Sequence, residues 1–519
     1  MSDSMVPSTL DHKVRSLAAG RPTDDAYRWG DTALTWSGYD ALGDAIAERL
    51  AGMRVRYGQR AVVLLPDGGA VHAALLGCER AGVVSVGVGW RAGERELASL
   101  VAKTSPTIAI MPESTRLGAA RSLCGRLGIA NLITVHDGDG SPGLDEGPTA
   151  KPLQPVGPSE LCMLNSTSGT TGLPKCVMQT QDRWFYFHEL AAEFGELQRD
   201  EVWMSVVPAP FGFGLWTSHY SPTILGVPCV VQRKFDSRAA AELIERHRVT
   251  VLCAVSSQFA MILDQAEGLD LSSLRVLFTG GERLPIAKAR AFEEATGCAV
   301  LNFYGSNETG LLSGTRVSDP LEKRIRTGGR CIPGMQVRLY DEQRHRIPGD
   351  QGIGRPACRG RATSPGYFDD DSANDELFTD DGWMLMGDIV EIDDDGWLTV
   401  IGRSADFIVR GGKNISAPAV EEEVLTHPDV AFAAAIAVPD TALGERVGIC
   451  IQPRHGHSLE LGDITEHLDR RGVSKEWWPE HIAVLNALPI SSGGKIAKAE
   501  LRARVTELFG DHGHRPDAG

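Results

Sequence analysis

The stretch Asn165-Ser166-Thr167-Ser168-Gly169-Thr170-Thr171-Gly172-Leu173-Pro174-Lys175 decides how the rest of the chain is read. Within eleven residues it holds five hydroxyls, two glycines and a lysine. Glycine lets a backbone turn so that successive N–H groups converge on an anion. Ser and Thr hydroxyls add donors, and the lysine adds a point charge suited to phosphate. It is not the common P-loop: Pro174 precedes the lysine, and no Gly-x-x-x-x-Gly-Lys-Ser/Thr is present. A flexible polar linker would share this composition, but apolar residues 161–164 before it and further apolar residues after it argue against one.

Outward from this loop, short apolar β-type runs alternate with helical stretches. Residues 39–53 carry Leu42, Ile46 and Leu50 at helical spacing. Residues 61–65 read as a strand ending in the turn Pro66-Asp67-Gly68, residues 71–81 as a helix and residues 83–88 as a strand. The alternation recurs at 202–207, 227–232, 239–248, 249–254 and 276–279. Such alternation predicts α/β layers with parallel sheets. After about residue 325, turn signals crowd together (Ile332-Pro333-Gly334, Pro348-Gly349-Asp350, Asp380-Asp381-Gly382, Asp394-Asp395-Gly396) and predict antiparallel hairpins. Helix–strand alternation resumes from Pro418, which places a boundary between residues 402 and 410.

The chain has 519 residues, enough for subdivision at roughly 150 residues per domain. Hydrophobic residues at 42% and charged residues at 23% exclude disorder, collagen and coiled coil. With 52 Lys+Arg against 68 Asp+Glu, the net charge of −16 excludes broad binding to nucleic acid. Residues 369–395 alone hold 12 acids and no Lys or Arg, so the remainder carries only −4. Their Asp-Asp-Gly sequences fit hairpin turns with carboxylates in water; a calcium loop would alternate its ligands. The longest apolar run, residues 430–438, is nine residues, short of the ~20 a membrane span needs. The N-terminus lacks the basic and apolar regions of a secretory leader. Ten scattered cysteines without Cys-x-x-Cys read as buried, reduced thiols of a cytoplasmic protein. His188-Glu189 is not followed by a histidine at zinc-protease spacing.

Residues 167–175 resemble the signature of the adenylate-forming superfamily, which includes acyl-CoA synthetases and peptide-synthetase adenylation domains. Four more segments match in order. Gly280-Gly281-Glu282-Arg283-Leu284-Pro285 resembles the adenine-side loop, and Tyr304-Gly305-Ser306-Asn307-Glu308 resembles the family's Tyr-Gly-x-Thr-Glu. Gly387-Asp388 followed by Gly402-Arg403 resembles its ribose-binding pair, and Pro489 to Gly494-Lys495 resembles its catalytic lysine loop. The resemblance implies an α/β fold: a large N-terminal domain of stacked α/β layers plus a β-rich region, residues 1–402, and a small mobile α+β C-terminal domain, residues 403–519. The hinge falls near 403–406, with Ala405 where the family usually has Asp or Lys and Asp406 next to it.

The resemblance further implies a ligase reaction in two halves. A carboxylate attacks the α-phosphate of ATP, giving an acyl-adenylate and pyrophosphate; a thiol then displaces AMP and forms a thioester. Thr167, Ser168, Gly169, Thr170, Thr171, Gly172 and Lys175 would hold the β- and γ-phosphates. Glu308 would bind Mg²⁺, and Asn307, in place of threonine, would reach the α-phosphate and the acyl group. Tyr304, with Gly305 beside it, would stack on adenine, with Gly281, Glu282 and Arg283 on the other face. Asp388 and Arg403 would hold the ribose, Lys495 would bridge carboxylate and α-phosphate, and Gly411 and Gly412 would line a pantetheine tunnel.

The family's loop Pro-x-Phe-His-x-x-Gly-Leu here contains Pro208, Pro210, Phe211, Gly212, Phe213, Gly214 and Leu215, so Phe211 replaces the usual histidine. Phe211, Phe213 and Trp216 form an aromatic wall with Gly212 and Gly214 leaving space beside it, a pattern similar to benzoate-type ligases. Ser256 and Gly280 complete the expected pocket. A compact aromatic or alicyclic acid suits such a wall, whereas a charged side group would lose hydration there. Cys176 (usually Gly) and Gln181 (usually His) are further departures. An NAD(P)-dependent oxidoreductase is disfavoured, because Gly87, Gly89 and Gly93 have the wrong spacing and Gly87 lies inside its strand. Gly456-His457-Ser458-Leu459 resembles part of a phosphopantetheine attachment site, but Ser458 is expected to precede or cap a helix over 463–470. Coenzyme A is the expected acceptor for a stand-alone chain. A separate carrier protein is the alternative, and a homodimer is compatible with the family.

Overall fold

The computed structural model describes residues 9–136, 142–152, 154–167, 175–282, 284–403, 407–410, 413–441, 443–490 and 496–510. Its largest sheet has nine strands among the described residues. The parallel centre runs Ala299–Ser306, Val276–Gly280, Val251–Cys253, Trp203–Ser205, Cys229–Val231 and Asp25–Trp29. Antiparallel strands close both edges. A second sheet of seven strands is built around Leu161–Thr167, Val84–Gly87, Arg60–Val63, Ile108–Met111 and Asn131–His136, all parallel. The expected α/β layers are therefore present, with strand ends within two residues of the ends of the apolar runs.

Helix Gly69–Arg80 is buried along its whole length, because it touches strands of both sheets. It packs on helix Trp36–Gly52, whose Thr35 cap accepts from Gly38 N at 3.2 Å. Gly43 and Gly77 mark the crossing: a Cβ at Gly77 would meet Ile46 at 2.6 Å, so the helices approach more closely than side chains would allow. Arg80 ends the buried helix on Asp11 (2.7 Å), Asp40 (2.5 Å) and Asp44 (3.1 Å).

The turn-rich region folds as expected into an antiparallel sheet of Met335–Tyr340, Gly352–Gly360, Asp388–Ile392 and Leu398–Arg403, with Met384–Leu385 beside it. Its acids are not simply solvated. Asp370 pairs with Lys103, Asp381 with Arg338 at 3.0 Å, Asp393 with Lys323 at 3.2 Å, and Glu376 lies 3.6 Å from Lys175. Four of the segment's twelve acids thus meet bases from outside it, which its own sequence cannot show.

The last sheet joins Lys413–Ser416, Phe407–Arg410, Gly444–Pro453, Val430–Asp440 and His481–Val484. Alternate residues of the nine-residue apolar run enter two different cores: Val430, Ala433 and Ala435 one, Ala434, Ile436 and Val438 the other. A strand covered on both faces reads as continuously apolar for this reason. Helix Leu461–Arg470 is capped by Glu460 rather than Ser458, with Asp463 accepting from Glu460 N at 2.7 Å. This region meets the larger part through Arg454–Asp264 at 3.1 Å and Ser416 Oγ–Ile401 O at 2.9 Å. All ten cysteines are free, and no helix of the described residues is long and apolar enough to cross a membrane.

Candidate active site

Nine of the expected site residues lie just beyond the carboxyl ends of parallel strands in the nine-stranded sheet, the edge at which open α/β sheets take ligands. Phe211–Trp216 follow strand Trp203–Ser205, Ser256 follows Val251–Cys253, Gly281 and Glu282 follow Val276–Gly280, and Asn307 and Glu308 follow Ala299–Ser306. Gly281 turns the chain at φ +74°, a conformation that favours glycine. Glu282 Oε2 lies 3.5 Å from Ser257 N, linking two of these strand ends.

The Ser306–Thr309 turn is held by reciprocal bonds: Thr309 Oγ1 accepts from Ser306 N at 3.0 Å, and Ser306 Oγ accepts from Thr309 N at 3.1 Å. Asn307 and Glu308 occupy its centre and reach opposite sides of the site. Asn307 Oδ1 lies over Gly212, where any Cβ would collide with it. Gly214 is likewise closed by Pro208 O. The sequence suggested that these two glycines leave space beside the wall; instead an amide and a carbonyl fill it. Glu308 Oε1 accepts from Tyr367 Oη at 2.7 Å. Burial and the Glu308 carboxylate push the Tyr367 hydroxyl up, so it stays a donor.

The hydroxyl-rich loop springs from a hairpin in the seven-stranded sheet, with Thr167 directly opposite Lys175. Lys175 Nζ stands 5.0 Å from the Tyr367 ring centre. Tyr367 reaches this position because Met178 N donates to Gly366 O at 3.0 Å and Phe368 N donates to Cys176 O at 2.8 Å. Lys175, Tyr367 and Glu308 thus form one chain. The family's glycine is here Cys176, whose side chain packs with Leu164 and Phe368. Gln181 Oε1 accepts from Leu10 N at 2.9 Å and fixes the first helix.

Tyr304 Oη donates to Asp388 Oδ2 at 2.9 Å, and both residues are buried. Asp388 stands opposite Arg403 in its hairpin. Gly305 sits where the strand crosses Gly310, and Gly280 where its Cα faces Phe303 O.

Trp216 belongs to a turn of π-helix, Leu215–Tyr220, with Ser221 N donating to Trp216 O. Side-chain hydroxyls hold this register. Thr217 donates to Phe213 O at 2.8 Å and Ser218 to Gly214 O at 2.7 Å. Tyr27 Oη donates to Ser218 O at 3.1 Å, a carbonyl whose α-helical donor would be Pro222, which has no N–H. Trp216 packs against Phe213 (5.6 Å), Phe278 (5.5 Å) and Phe303 (5.7 Å). Phe211 joins no ring pair among the described residues, so the observed wall is Phe213 and Trp216 backed by core aromatics. Trp216 Nε1 is buried with no hydrogen-bond partner among the described residues.

Sequence reasoning missed Tyr367 and Arg183. Arg183 is fully buried, its guanidinium pulled down to about 10 by that burial. A charge between the site loop and an aromatic run was the available signal. Ser168, Gly169, Thr170, Thr171, Gly172, Arg283, Gly411, Gly412, Lys495 and the hinge at 404–406 lie outside the described residues.

A family model described as AMP-binding enzyme matches residues 14–368, and one described as AMP-binding enzyme C-terminal domain matches residues 419–495. The 2-hydroxy-7-methoxy-5-methyl-1-naphthoate–CoA ligase of Streptomyces carzinostaticus is 31% identical, over 92% of this chain and 90% of its own. The salicyl-AMP ligase / salicyl-S-ArCP synthetase of Mycobacterium tuberculosis is 31% identical, over 96% and 91%. An anthranilate CoA ligase solved with anthranoyl-AMP superposes with a TM-score of 0.85 at 22% identity, covering 98% of this chain and 99% of that one. That likeness speaks to the fold.

Proposed function

Because the chain belongs to the AMP-binding enzymes, we propose that it activates a compact aromatic or alicyclic carboxylic acid with ATP and transfers the acyl group to coenzyme A. The observation that carries this reading is the Ser306–Thr309 turn, which sets Glu308 beside Tyr367 and Lys175 and Asn307 against the Phe-Gly-Phe-Gly loop. One rigid turn then joins a phosphate side to an acyl side, the arrangement that carboxylate attack on an α-phosphate needs.

Lys175 and the hydroxyl-rich loop bind the β- and γ-phosphates. Tyr304 and Asp388 hold the nucleoside, with Arg403 on the ribose. Glu308 fits Mg²⁺: one oxygen is oriented by Tyr367, and a single carboxylate plus substrate phosphates is a common way to hold this ion. Bound there, the ion would offset phosphate charge. Asn307 orients the α-phosphate, and Lys495 meets the negative charge that develops as the carboxylate attacks. Pyrophosphate leaves; the thiol of coenzyme A, entering past Gly411 and Gly412, then displaces AMP. Residues 1–402 carry the nucleotide and acid, and residues 403–519 carry Lys495 and turn about 403–406. Ten free thiols are in keeping with a cytoplasmic site of action.

The aromatic character of the acid rests on Phe213 and Trp216, and the naphthoate and salicylate relatives support it. The salicylate relative, whose name includes a carrier-protein product, favours a second reading with a separate carrier as acceptor. Acid-dependent pyrophosphate release, measured over benzoates, 2-hydroxybenzoates, cyclohexane acids and fatty acids with and without coenzyme A, tests both. Aromatic acids with acyl-CoA as product are expected; turnover of long-chain fatty acids alone would refute the acid class.

A further inference from the structure

Helix Gln181–Phe194 follows the strand that leaves the phosphate loop, and Arg183 lies in its first turn, 1% exposed. Its Nε–H donates to Ala362 O at 2.9 Å. One terminal nitrogen donates to Gln179 Oε1, and the other to Asn307 O at 3.1 Å and Glu308 O at 3.3 Å. None of these acceptors carries a formal charge. The Glu308 and Asp182 carboxylates favour the charge through space, while the hydrogen bonds themselves go to four neutral carbonyl oxygens.

The planar fork fixes geometry. Gln179 in turn donates to Asn165 Oδ1 at 2.8 Å, the residue that opens the hydroxyl-rich stretch. Ala362 lies five residues before Tyr367, the partner of Glu308. Asn165, Gln179, the Asn307–Glu308 backbone and the 362–367 segment are therefore tied together through one guanidinium. Asn165, Gln179 and Arg183 flank the loop in sequence, while the 307–308 and 362–367 segments come from over a hundred residues away.

We propose that Arg183 is a positioning residue for the nucleotide. Its fork sets the Asn307–Glu308 turn against the strand that opens the phosphate loop, so that the Glu308 carboxylate stands ready for a magnesium-bound triphosphate. Its buried charge favours the same anion. The inference rests on the nucleotide assignment above, and its test is independent of the acid.

The full chain is titrated calorimetrically with magnesium–ATP in the absence of any acid, as wild type, Arg183→Met and Arg183→Lys. Arg183→Met is expected to weaken magnesium–ATP by about 10- to 100-fold, the usual effect of losing a group that orients a ligand-binding side chain. Arg183→Lys, which keeps the charge but loses the fork, is expected to fall between it and wild type. In turnover assays the KM for ATP rises by more than the KM for the acid, which Arg183 reaches only through Asn307 on the same turn. A merely structural role would instead lower the unliganded Tm of Arg183→Met and leave magnesium–ATP affinity unchanged, which overturns the proposal. If Arg183→Met does not fold, Arg183→Lys decides, and wild-type affinity in it overturns the proposal equally. A wild-type chain that binds magnesium–ATP but converts no acid in the panel would sink the acid-activation reading while leaving this test intact.

Discussion

At the scale of single residues, Gly212 and Asn307 form one of the tightest constraints in the site. A methyl group at residue 212 meets the far end of a flexible amide, not a backbone atom. Gly212→Ala should therefore fold with a stability loss of only about 1 kcal/mol or less, because the amide can swing away. The swing takes Asn307 from its place between acid and α-phosphate, so the adenylation rate should fall by about tenfold or more. Pyrophosphate exchange and a melting curve on the same sample check this; a fully active Gly212→Ala would show that the amide's placement is irrelevant. The sequence exposed Asn307 as a family departure, Asn for Thr, and placed Gly212 beside another, Phe211 in place of histidine. Their contact joins positions 212 and 307, and no local pattern reports a contact over that separation. Tyr367 escaped for the same reason: its partner Glu308 lies 59 residues away.

At the scale of elements, the π-turn Leu215–Tyr220 shows how a helix register can serve a pocket. Inserting one residue per turn is unfavourable and persists where side chains replace lost backbone bonds. Thr217, Ser218 and Tyr27 do so here. Tyr27→Phe removes the donor from Ser218 O at a cost of about 1 kcal/mol. Because Trp216 sits two residues earlier in the same turn, the KM for the acid should rise more than the KM for ATP. A lowered Tm with both KM values unchanged would separate fold from pocket and reject the link. Parallel strands such as Val276–Gly280 were legible from apolar runs, since burial on both faces leaves that imprint. The π-register was not, because it depends on Pro222 and on a tyrosine in another strand.

At the scale of the whole molecule, the region around the fully buried helix Gly69–Arg80 holds ionisable groups away from water. Glu79 is buried, with one oxygen accepting from Tyr220 Oη at 2.7 Å and the other without a partner among the described residues. Burial pushes its carboxyl up to about 8 from its ordinary 4.5. The folded state thus holds a proton that the unfolded chain has released, so this contribution is full below pH 4.5 and is lost as pH rises toward 8. Buried His72, His188 and His219, all lowered by burial, act in the opposite sense below about pH 6.5. The Glu79 effect is therefore read between pH 6.5 and 8, where wild-type Tm should fall with rising pH and Glu79→Gln should fall less; equal slopes would reject it. Strand Asp25–Trp29, finally, pairs with Cys229–Val231, about 200 residues later. At a synthesis rate of ~5–20 residues per second, its partner follows it from the ribosome by roughly 10–40 s. Throughout that interval the strand has only its hairpin partner Thr32–Thr35 to pair with, and its other edge stays open to wrong partners until its sheet neighbour is made.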